Sequence, residues 1–281
     1  MKNHIFNILS SLIAFYIPFQ IGLLTEIPLV TNLLLLIFTI QWVSFIPAYL
    51  FQTEKFYDIT GSITYLTVVI SSLYISGSTN FTDYVVVICI SLWAVRLGSF
   101  LFKRIHKDGE DKRFRTIKPN FTRFLMTWTL QGTWVSMCLL CVLTSLSSES
   151  GIVNNFMFYI GLILFISGFV IEVIADHQKT IFRKNILNKD KFITNGLWAY
   201  SRHPNYLGEI ILWFGISVMS FSSLAGLQYL TLISPIFVYI LLVYISGVRL
   251  LEESGKKKWG HLSSYNDYVK NTPSIFFKFF S

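Results

Sequence analysis

The sequence predicts an all-α fold, a polytopic membrane bundle of about eight transmembrane helices. Hydrophobic residues make up 53% of the 281 residues, and the mean hydropathy is +0.56. Only 14% of the residues are charged, whereas a typical soluble domain contains about 25%. The apolar residues are also collected into runs of about 20, the length that a helix needs to cross a bilayer.

Eight apolar runs can be followed along the chain. They cover roughly residues 5–24, 29–50, 62–77, 83–102, 124–146, 155–174, 205–222 and 229–248. The first run follows Lys2 as in a signal peptide, but no cleavage site of small residues comes after it, so we expect it to be retained as a helix. No linker or repeat divides the chain. We therefore predict one transmembrane domain, 1–281, which begins with the helices of 1–53.

The basic residues predict the orientation of this bundle. Eight spans return the C-terminus to the side of the N-terminus, and all 23 Lys and Arg residues then lie on that side or at the helix ends that border it. The loops of the opposite side contain none, near 25–28, 78–82, 147–154 and 223–228. Because basic loops stay in the cytoplasm, both termini are predicted to be cytoplasmic.

The positive charge also indicates the kind of partner. The net charge of +8 lies beside apolar spans, which favours membrane lipids and an anionic ligand over nucleic acid. Cys89, Cys138 and Cys141 fall inside apolar runs, and their spacing fits neither a zinc site nor a disulfide framework. We expect buried, small apolar side chains there, and no metal site.

The polar residues after the sixth apolar run form the first half of a candidate site. If the sixth helix continues, Glu172, Asp176, Lys179 and Arg183 lie at i, i+4, i+7 and i+11 and share one face. Ionisable groups beside a membrane span are costly and usually face a cavity or a partner. The alternative is that the carboxylates form structural ion pairs with the nearby basic residues.

The start of the seventh span supplies the second half. Pro204 suits the first turn of a helix, and the opening turns, whose free N–H groups favour an anion, hold Asn205, Tyr206 and Glu209. Arg202 and the basic side chains of the sixth helix can add charge-assisted bonds to a phosphate. The pattern therefore predicts a phosphate-and-ribose pocket at the cytoplasmic surface. The alternative is that these basic side chains only reach the lipid head groups.

The same stretch resembles the C-terminal domain of the steroid 5-alpha-reductase superfamily. The resemblance rests on Ala175–Lys179, Phe182–Arg183, Gly196–Trp198 and Ser201–Glu209. It is closest to a large, mostly bacterial and plant branch known as a domain-of-unknown-function family. Further stretches agree with that branch, namely Phe56–Gly61, Leu92–Gly98, Asp111–Phe114, Ser246–Gly247, Leu251–Glu252 and Lys258–Gly260, with Tyr265 and Tyr268. The similar region covers roughly 54–275.

This resemblance implies a membrane reductase that moves a hydride from NADPH to an activated C=C bond of a lipid-like substrate. A steroid, a sterol or another apolar enone would enter from the bilayer, and NADPH would bind from the cytoplasm without a Rossmann fold. The sequence indeed has no G-x-G-x-x-G motif. With Lys179 of the basic helix face included, the expected cofactor-binding residues are Asp176, Lys179, Arg183, Arg202, His203, Asn205, Tyr206, Glu209, Arg249 and Glu252.

The expected catalytic residues depart from the steroid reductase pattern. In those enzymes a Glu and a Tyr from earlier helices orient and protonate the substrate carbonyl. By spacing, Asp58 stands for the Glu, but Trp93 stands at the Tyr position, and an indole is no practical proton source. The candidates for the group that polarises the carbonyl are therefore Asp58 and Tyr206. Asp58 has an alternative interpretation as the N-cap of the third span.

Two other functions stay open from the sequence. The Arg-His-Pro motif and the pair Glu252–Glu253 also resemble isoprenylcysteine carboxyl methyltransferases, which bind S-adenosylmethionine. Several basic groups suit the 2′-phosphate of NADPH better than a sulfonium cofactor. A non-enzymatic scaffold or transporter is the third possibility, but a transporter places polar groups near the bilayer midplane, whereas here they crowd one face. The sequence identifies neither the substrate nor the oligomeric state. It is compatible with two membranes, the bacterial inner membrane and the endoplasmic reticulum.

Overall fold

The computed structural model describes residues 2–278, and this range contains helices and connections but no strand. The α-helices are α1 (Lys2–Leu24), α2 (Pro28–Leu50), α3 (Tyr57–Ser76), α4 (Phe81–Asp108), α5 (Phe121–Leu146), α6 (Phe156–Lys184), α7 (Pro204–Ser220), α8 (Ile233–Ile240), α9 (Val248–Trp259) and α10 (Ser263–Asn271). Shorter turns of 3-10 helix are Lys112–Thr116, Ile186–Asn188, Gly196–Ala199, Phe221–Ser223 and Gly226–Leu232, and Leu241–Ile245 form a π-helical turn. The predicted all-α class is confirmed.

Eight helical segments are long and apolar enough to cross a membrane, as predicted. They are Asn3–Leu24, Pro28–Leu50, Tyr57–Ser76, Phe81–Asp108, Phe121–Leu146, Phe156–Lys184, Pro204–Ser223 and Gly226–Trp259. The fourth and sixth helices extend past their apolar runs because Lys, Arg and other straight-chain residues continue a helix readily. The chain thus has the architecture of an integral membrane protein. The last segment combines the 3-10 helix Gly226–Leu232, α8, the π-helical turn and α9 over 34 residues.

The chain forms two compact units. The first unit contains Met1–Phe158 and Met219–Ser234, and the second contains Tyr159–Val218 and Pro235–Ser281. In the first unit, α5 packs against α1, α2 and α3, and its second half is buried on all sides. Several polar side chains in this interior form hydrogen bonds with one another or with the backbone, since unpaired polar groups are costly in lipid. For example, Gln41 donates to the hydroxyl of Thr64 at 2.8 Å.

The three cysteines lie in the interior of the first unit. Cys138 and Cys141 are fully buried and Cys89 is 7% exposed. None of them forms a disulfide, and the described residues contain no cluster of three or more metal-binding side chains. The prediction of buried thiols is therefore confirmed.

In the second unit, α6 and α7 approach each other so closely that their backbones touch. A Cβ atom at Gly208 would lie 2.5 Å from the carbonyl oxygen of Gly168 and 2.6 Å from the backbone nitrogen of Glu172. Two turns further along α7, a Cβ at Gly215 would lie 2.6 Å from the carbonyl oxygen of Gly161. Small residues permit this approach between membrane helices. The contact sets the polar end of α6 beside the first turns of α7.

Replacing Gly208 with Ala tests this contact. The added methyl group has no space between the two backbones, so we expect a loss of about 1–3 kcal/mol in unfolding free energy, the usual effect of overpacking. Thermal unfolding of the detergent-purified protein measures the change. The matched control is Val170→Ala on α6, where the side chain is 45% exposed and its removal should have little effect. Equal stability of Gly208→Ala and the control would contradict the backbone contact.

Candidate functional site

A cavity in the second unit is lined by basic and aromatic side chains. Its walls come from the end of α6, the connection to α7, and the helices α9 and α10. The lining residues are Lys179, Phe182, Arg183, Lys191, Phe192, Ile193, Trp198, Arg202, His203, Leu251, Glu252, Ser254, Gly255, Trp259, Tyr265 and Tyr268. The cavity therefore joins segments that are far apart in the sequence.

The charge of the lining is strongly positive. Lys179 and Arg183 lie one turn apart on α6, which continues to Lys184 as the sequence predicted. Lys191 and Arg202 add two further cations from the connection to α7, against the carboxylate of Glu252. A cavity with this lining attracts an anion, and guanidinium groups can hold carboxylate or phosphate with two parallel bonds.

Glu252 joins the connection to α9. Its Oε1 atom accepts a hydrogen bond from Arg202 Nε at 2.9 Å and lies 2.9 Å from His203 Nε2. The guanidinium of Arg202 also donates to the carbonyl oxygen of Val269 on α10. The side chains of Arg202 and His203 are 15% and 9% exposed. Both are thus fixed by several partners rather than extended toward solvent.

The protonation of His203 follows from its surroundings. Burial lowers the pKa of the imidazole, and the hydrogen bond and charge of Glu252 only partly counteract this effect. The ring is therefore neutral at pH 7, and Nε2 carries the proton because it faces a carboxylate. Nδ1 is then an acceptor. It is buried and has no hydrogen-bond partner among residues 2–278. Since such an atom is costly to leave unpaired, Nδ1 is suited to a donor group of a ligand.

Trp198 forms an aromatic wall beside the basic face of α6. Its indole N–H donates to the carbonyl oxygen of Ala175 at 3.1 Å, and the Lys179 ammonium lies 4.5 Å from its ring centroid. This is the geometry of a cation–π contact. The hydroxyl of Tyr268 donates to the carbonyl oxygen of Trp198 at 2.7 Å. Burial raises the pKa of the Tyr268 phenol, so it stays a neutral donor.

Phe192 is the centre of a second aromatic group. Its ring centroid lies 5.1 Å from that of Tyr265, 5.6 Å from Tyr268 and 5.8 Å from Trp259. Tyr265 reaches this position because α9 has Gly255 opposite it, where a Cβ would lie 2.5 Å from the phenolic oxygen. Together with Trp198, these rings present flat apolar faces of the kind on which a nucleotide base or a nicotinamide can stack.

The structure brings half of the expected cofactor-binding residues to the cavity. Those that line it are Lys179, Arg183, Arg202, His203 and Glu252.

The other expected residues, all within the described part of the chain, do not line the cavity. Asp176 and Glu209 are buried in α6 and α7. Asn205 and Tyr206 lie in the first turn of α7, which begins at Pro204 as predicted, and the Tyr206 ring stacks on His203 with 5.9 Å between centroids. Arg249 is exposed, and its Nε atom lies 3.9 Å from Oε1 of Glu253. It is not among the described residues that line the cavity.

Asp58, the remaining candidate, belongs to the first unit. It lies in the first turn of α3, which begins at Tyr57 with Phe56 as its N-cap and without a capping side chain. The helix begins at Tyr57, one residue before Asp58, so the alternative interpretation of Asp58 as the N-cap is wrong. The Asp58 carboxylate lies 3.9 Å from the guanidinium of Arg104. Its catalytic role stays a prediction.

The cavity also contains residues that the sequence analysis did not select as site residues. Trp198, Trp259, Tyr265 and Tyr268 entered only as parts of matching strings, and Lys191, Phe192 and Gly255 did not enter as site residues at all. One signal was available, since Lys191–Phe192 and Lys258–Trp259 each place a cation next to an aromatic ring. Their meeting depends on the path of the connection between α6 and α7, which no local pattern reveals.

The lowered pKa of His203 predicts how stability depends on pH. Below about pH 6.5 the imidazole of the unfolded chain takes up a proton before that of the folded chain, so the unfolding free energy falls as the pH falls. The slope from this one group is at most about 1.4 kcal/mol per pH unit. His203→Gln cannot titrate, and its stability should fall less between pH 7 and pH 5. Thermal unfolding at several pH values measures this, with the exposed His261→Gln as control. Parallel curves for His203→Gln and wild type would contradict the assignment.

Comparison with known proteins places these residues in a family. A family model described as "Protein of unknown function (DUF1295)" matches residues 44–272. The probable O-methyltransferase ustE of Ustilaginoidea virens is 32% identical over 117 residues, 36% of this chain and 41% of the relative. The Delta(14)-sterol reductase of Arabidopsis thaliana is 30% identical over 129 residues, 42% of this chain and 31% of the relative. The steroid 5-alpha-reductase DET2 of Solanum lycopersicum is 31% identical over 119 residues, 42% of this chain and 41% of the relative.

The extent of these matches differs. The matched part of the chain spans 31% to 41% of the length of the three relatives, and no solved structure matches the chain. The family model, in contrast, covers most of the chain and includes all residues that line the cavity. The chain therefore belongs to the DUF1295 family, which is related to the steroid 5-alpha-reductase family.

Proposed function

We propose that this protein is a membrane-embedded, NADPH-dependent reductase of an activated C=C bond in an apolar, lipid-like substrate. The observation that carries the proposal is the cavity of the second unit, in which basic side chains of α6 lie beside a wall of aromatic rings. In this proposal the cavity faces the cytoplasm, because it lies at the basic end of the spans. The membrane is a bacterial inner membrane or the endoplasmic reticulum.

The cavity has the chemical groups that a phosphorylated dinucleotide requires. Lys179, Arg183 and Lys191 supply cations for phosphate groups. Trp198 and the rings around Phe192 supply flat surfaces for a base or a nicotinamide. The unpaired Nδ1 of His203 supplies a buried acceptor for a ligand N–H or O–H. We propose that Asp176, Asn205, Glu209 and Arg249 complete the cofactor site around this core, as the family resemblance implies.

The membrane spans and the named relatives support a proposal for the substrate class. Eight apolar spans put the protein in a lipid phase, from which an apolar molecule can enter laterally without crossing water. Two of the relatives are a sterol reductase and a steroid reductase by name. We therefore propose a steroid, a sterol or another apolar enone as substrate. Membrane lipids are the other expected partners.

The chemistry of the proposed reaction divides between cofactor and chain. When bound, NADPH supplies the hydride. The chain positions the two reactants and excludes water from them, which can account for much of a rate enhancement. Asp58 and Tyr206 are alternative candidates for the group that polarises the substrate carbonyl. The phenol of Tyr206 can donate a proton, whereas Asp58 can do so only in its protonated form.

A methyltransferase is the second candidate, and one observation favours it. The probable O-methyltransferase of Ustilaginoidea virens aligns with 36% of this chain. An S-adenosylmethionine site needs aromatic and polar contacts, which the cavity has, but this cofactor has only one carboxylate for a cation to bind and a sulfonium that cations repel. The charge of the cavity therefore favours the reductase.

Cofactor binding by the detergent-purified protein separates the two functions. We expect NADPH to raise the midpoint of thermal unfolding, since a ligand at 100 times its Kd stabilises a protein by about 2.7 kcal/mol. NADH should do so less, and S-adenosylmethionine should have no effect. Stabilisation by S-adenosylmethionine alone would contradict the reductase assignment and support the methyltransferase. With NADPH bound, consumption of the cofactor in the presence of apolar enones then tests the reaction.

The basic face of α6 provides a sharper test of how NADPH is recognised. If Arg183 binds the 2′-phosphate, Arg183→Ala should raise the Kd for NADPH about tenfold, the effect of losing one charge-assisted bond. The Kd for NADH, which lacks this phosphate, should change little. The neighbouring Lys184→Ala is the matched control, because Lys184 is also exposed at the end of α6 but does not line the cavity. Equal weakening of NADPH and NADH by Arg183→Ala would argue against a 2′-phosphate contact.

A further inference from the structure

The residues that follow α10 run alongside the connection between α6 and α7. We call residues 272–278 the tail segment. The backbone N–H of Arg202 donates to the carbonyl oxygen of Pro273 at 2.9 Å. The backbone N–H of Lys278 donates to the carbonyl oxygen of Tyr200 at 3.0 Å. Two main-chain hydrogen bonds thus join the tail segment to both sides of Ser201, immediately before the site residues.

Side chains strengthen the same contact. The hydroxyl of Ser201 is fully buried, donates to the carbonyl oxygen of Ile275 at 2.7 Å and accepts from the backbone N–H of His203 at 3.2 Å. Ile275 is 5% exposed and packs with Leu207 and Val248. The tail segment is therefore anchored in the apolar core between α7 and α9 and reaches the backbone of His203 through a single hydroxyl.

The contacts connect residues outside the family match with residues of the candidate site. The match ends at residue 272, and the bonded residues of the tail segment come after it. The residues that they hold, Arg202 and His203, line the cavity and both contact Glu252. Because the connection has no regular helix at this point, buried backbone groups there need partners from elsewhere. The tail segment supplies them.

We propose that the tail segment is a positioning element of the cofactor site. It fixes the backbone of Tyr200–His203 so that Arg202 and His203 meet Glu252 and present their remaining groups to the ligand. In naming NADPH as that ligand, the proposal rests on the proposed function. The positioning itself is a property of the ligand-free chain and can be measured without any cofactor.

Ile275→Ala in the full chain tests the proposal. It removes the apolar anchor of the tail segment and leaves the backbone groups in place. Ile275→Leu is the conservative variant that should restore the anchor, and Phe276→Ala is the matched control, because Phe276 is its neighbour and is 62% exposed. Two quantities are measured: backbone hydrogen exchange in peptides that cover 199–208 without ligand, and the Kd for NADPH.

We expect Ile275→Ala to speed exchange at Arg202 at least about tenfold, since local opening then breaks its bond to the tail segment. The Kd for NADPH should rise about tenfold, while Ile275→Leu and Phe276→Ala stay close to wild type. Unchanged exchange would overturn the proposal, and so would faster exchange with an unchanged Kd. If Ile275→Ala does not fold, Ser201→Ala removes the bridging hydroxyl alone and decides between the same outcomes.

A failure of the proposed function is distinguishable from a failure of this proposal. If the wild-type protein binds no NADPH, the reductase assignment falls. The exchange data then decide the role of the tail segment alone: faster exchange at Arg202 in Ile275→Ala supports it, and unchanged exchange overturns it.

Discussion

The candidate site depends on the contacts of one carboxylate, that of Glu252, with Arg202 and His203. One oxygen atom of this side chain meets both Arg202 and His203, so a single residue of α9 orients two residues of the connection before α7. The arrangement is partly buried, and removing the carboxylate would leave two polar groups without their partner, which costs more than the bond itself contributes. The orientation of the Arg202 guanidinium and the tautomer of His203 both follow from this contact.

A membrane protein has few places for such a network. Within the bilayer core, backbone and side-chain polar groups must be satisfied inside the protein, and the hydroxyls of Thr144 and Ser145 on α5 illustrate this by donating to carbonyl oxygens of their own helix. The candidate site instead lies where α6 extends beyond its apolar run. There, irregular backbone is tolerated because the tail segment and α10 provide partners for it. Positive charge and aromatic rings can then converge beyond the apolar run of α6.

The sequence predicted those features that depend on local periodicity. The eight spans follow from apolar runs, and the shared face of Lys179 and Arg183 follows from helical spacing once α6 continues to Lys184. The start of α7 follows from Pro204. The rest depends on contacts between distant segments, for which periodicity gives no information. The meeting of Phe192 with Tyr265, the contact of Tyr268 with Trp198 and the docking of the tail segment each join residues that are 70 or so positions apart. The matched strings flagged some of these residues but not their geometry.

The backbone contact between α6 and α7 has a consequence for how a ligand reaches the cavity. At the glycine positions no side chains separate the two helices, so no rotamer change can widen or narrow the gap. The opposite wall, formed by α9 and α10, rests on ring packing and on side-chain hydrogen bonds that can break and re-form. We therefore expect the cavity to open mainly at that wall. In the proposed reductase, ligand entry and release would then depend on motion of α9 and α10, with the cationic face of α6 as the surface against which they close.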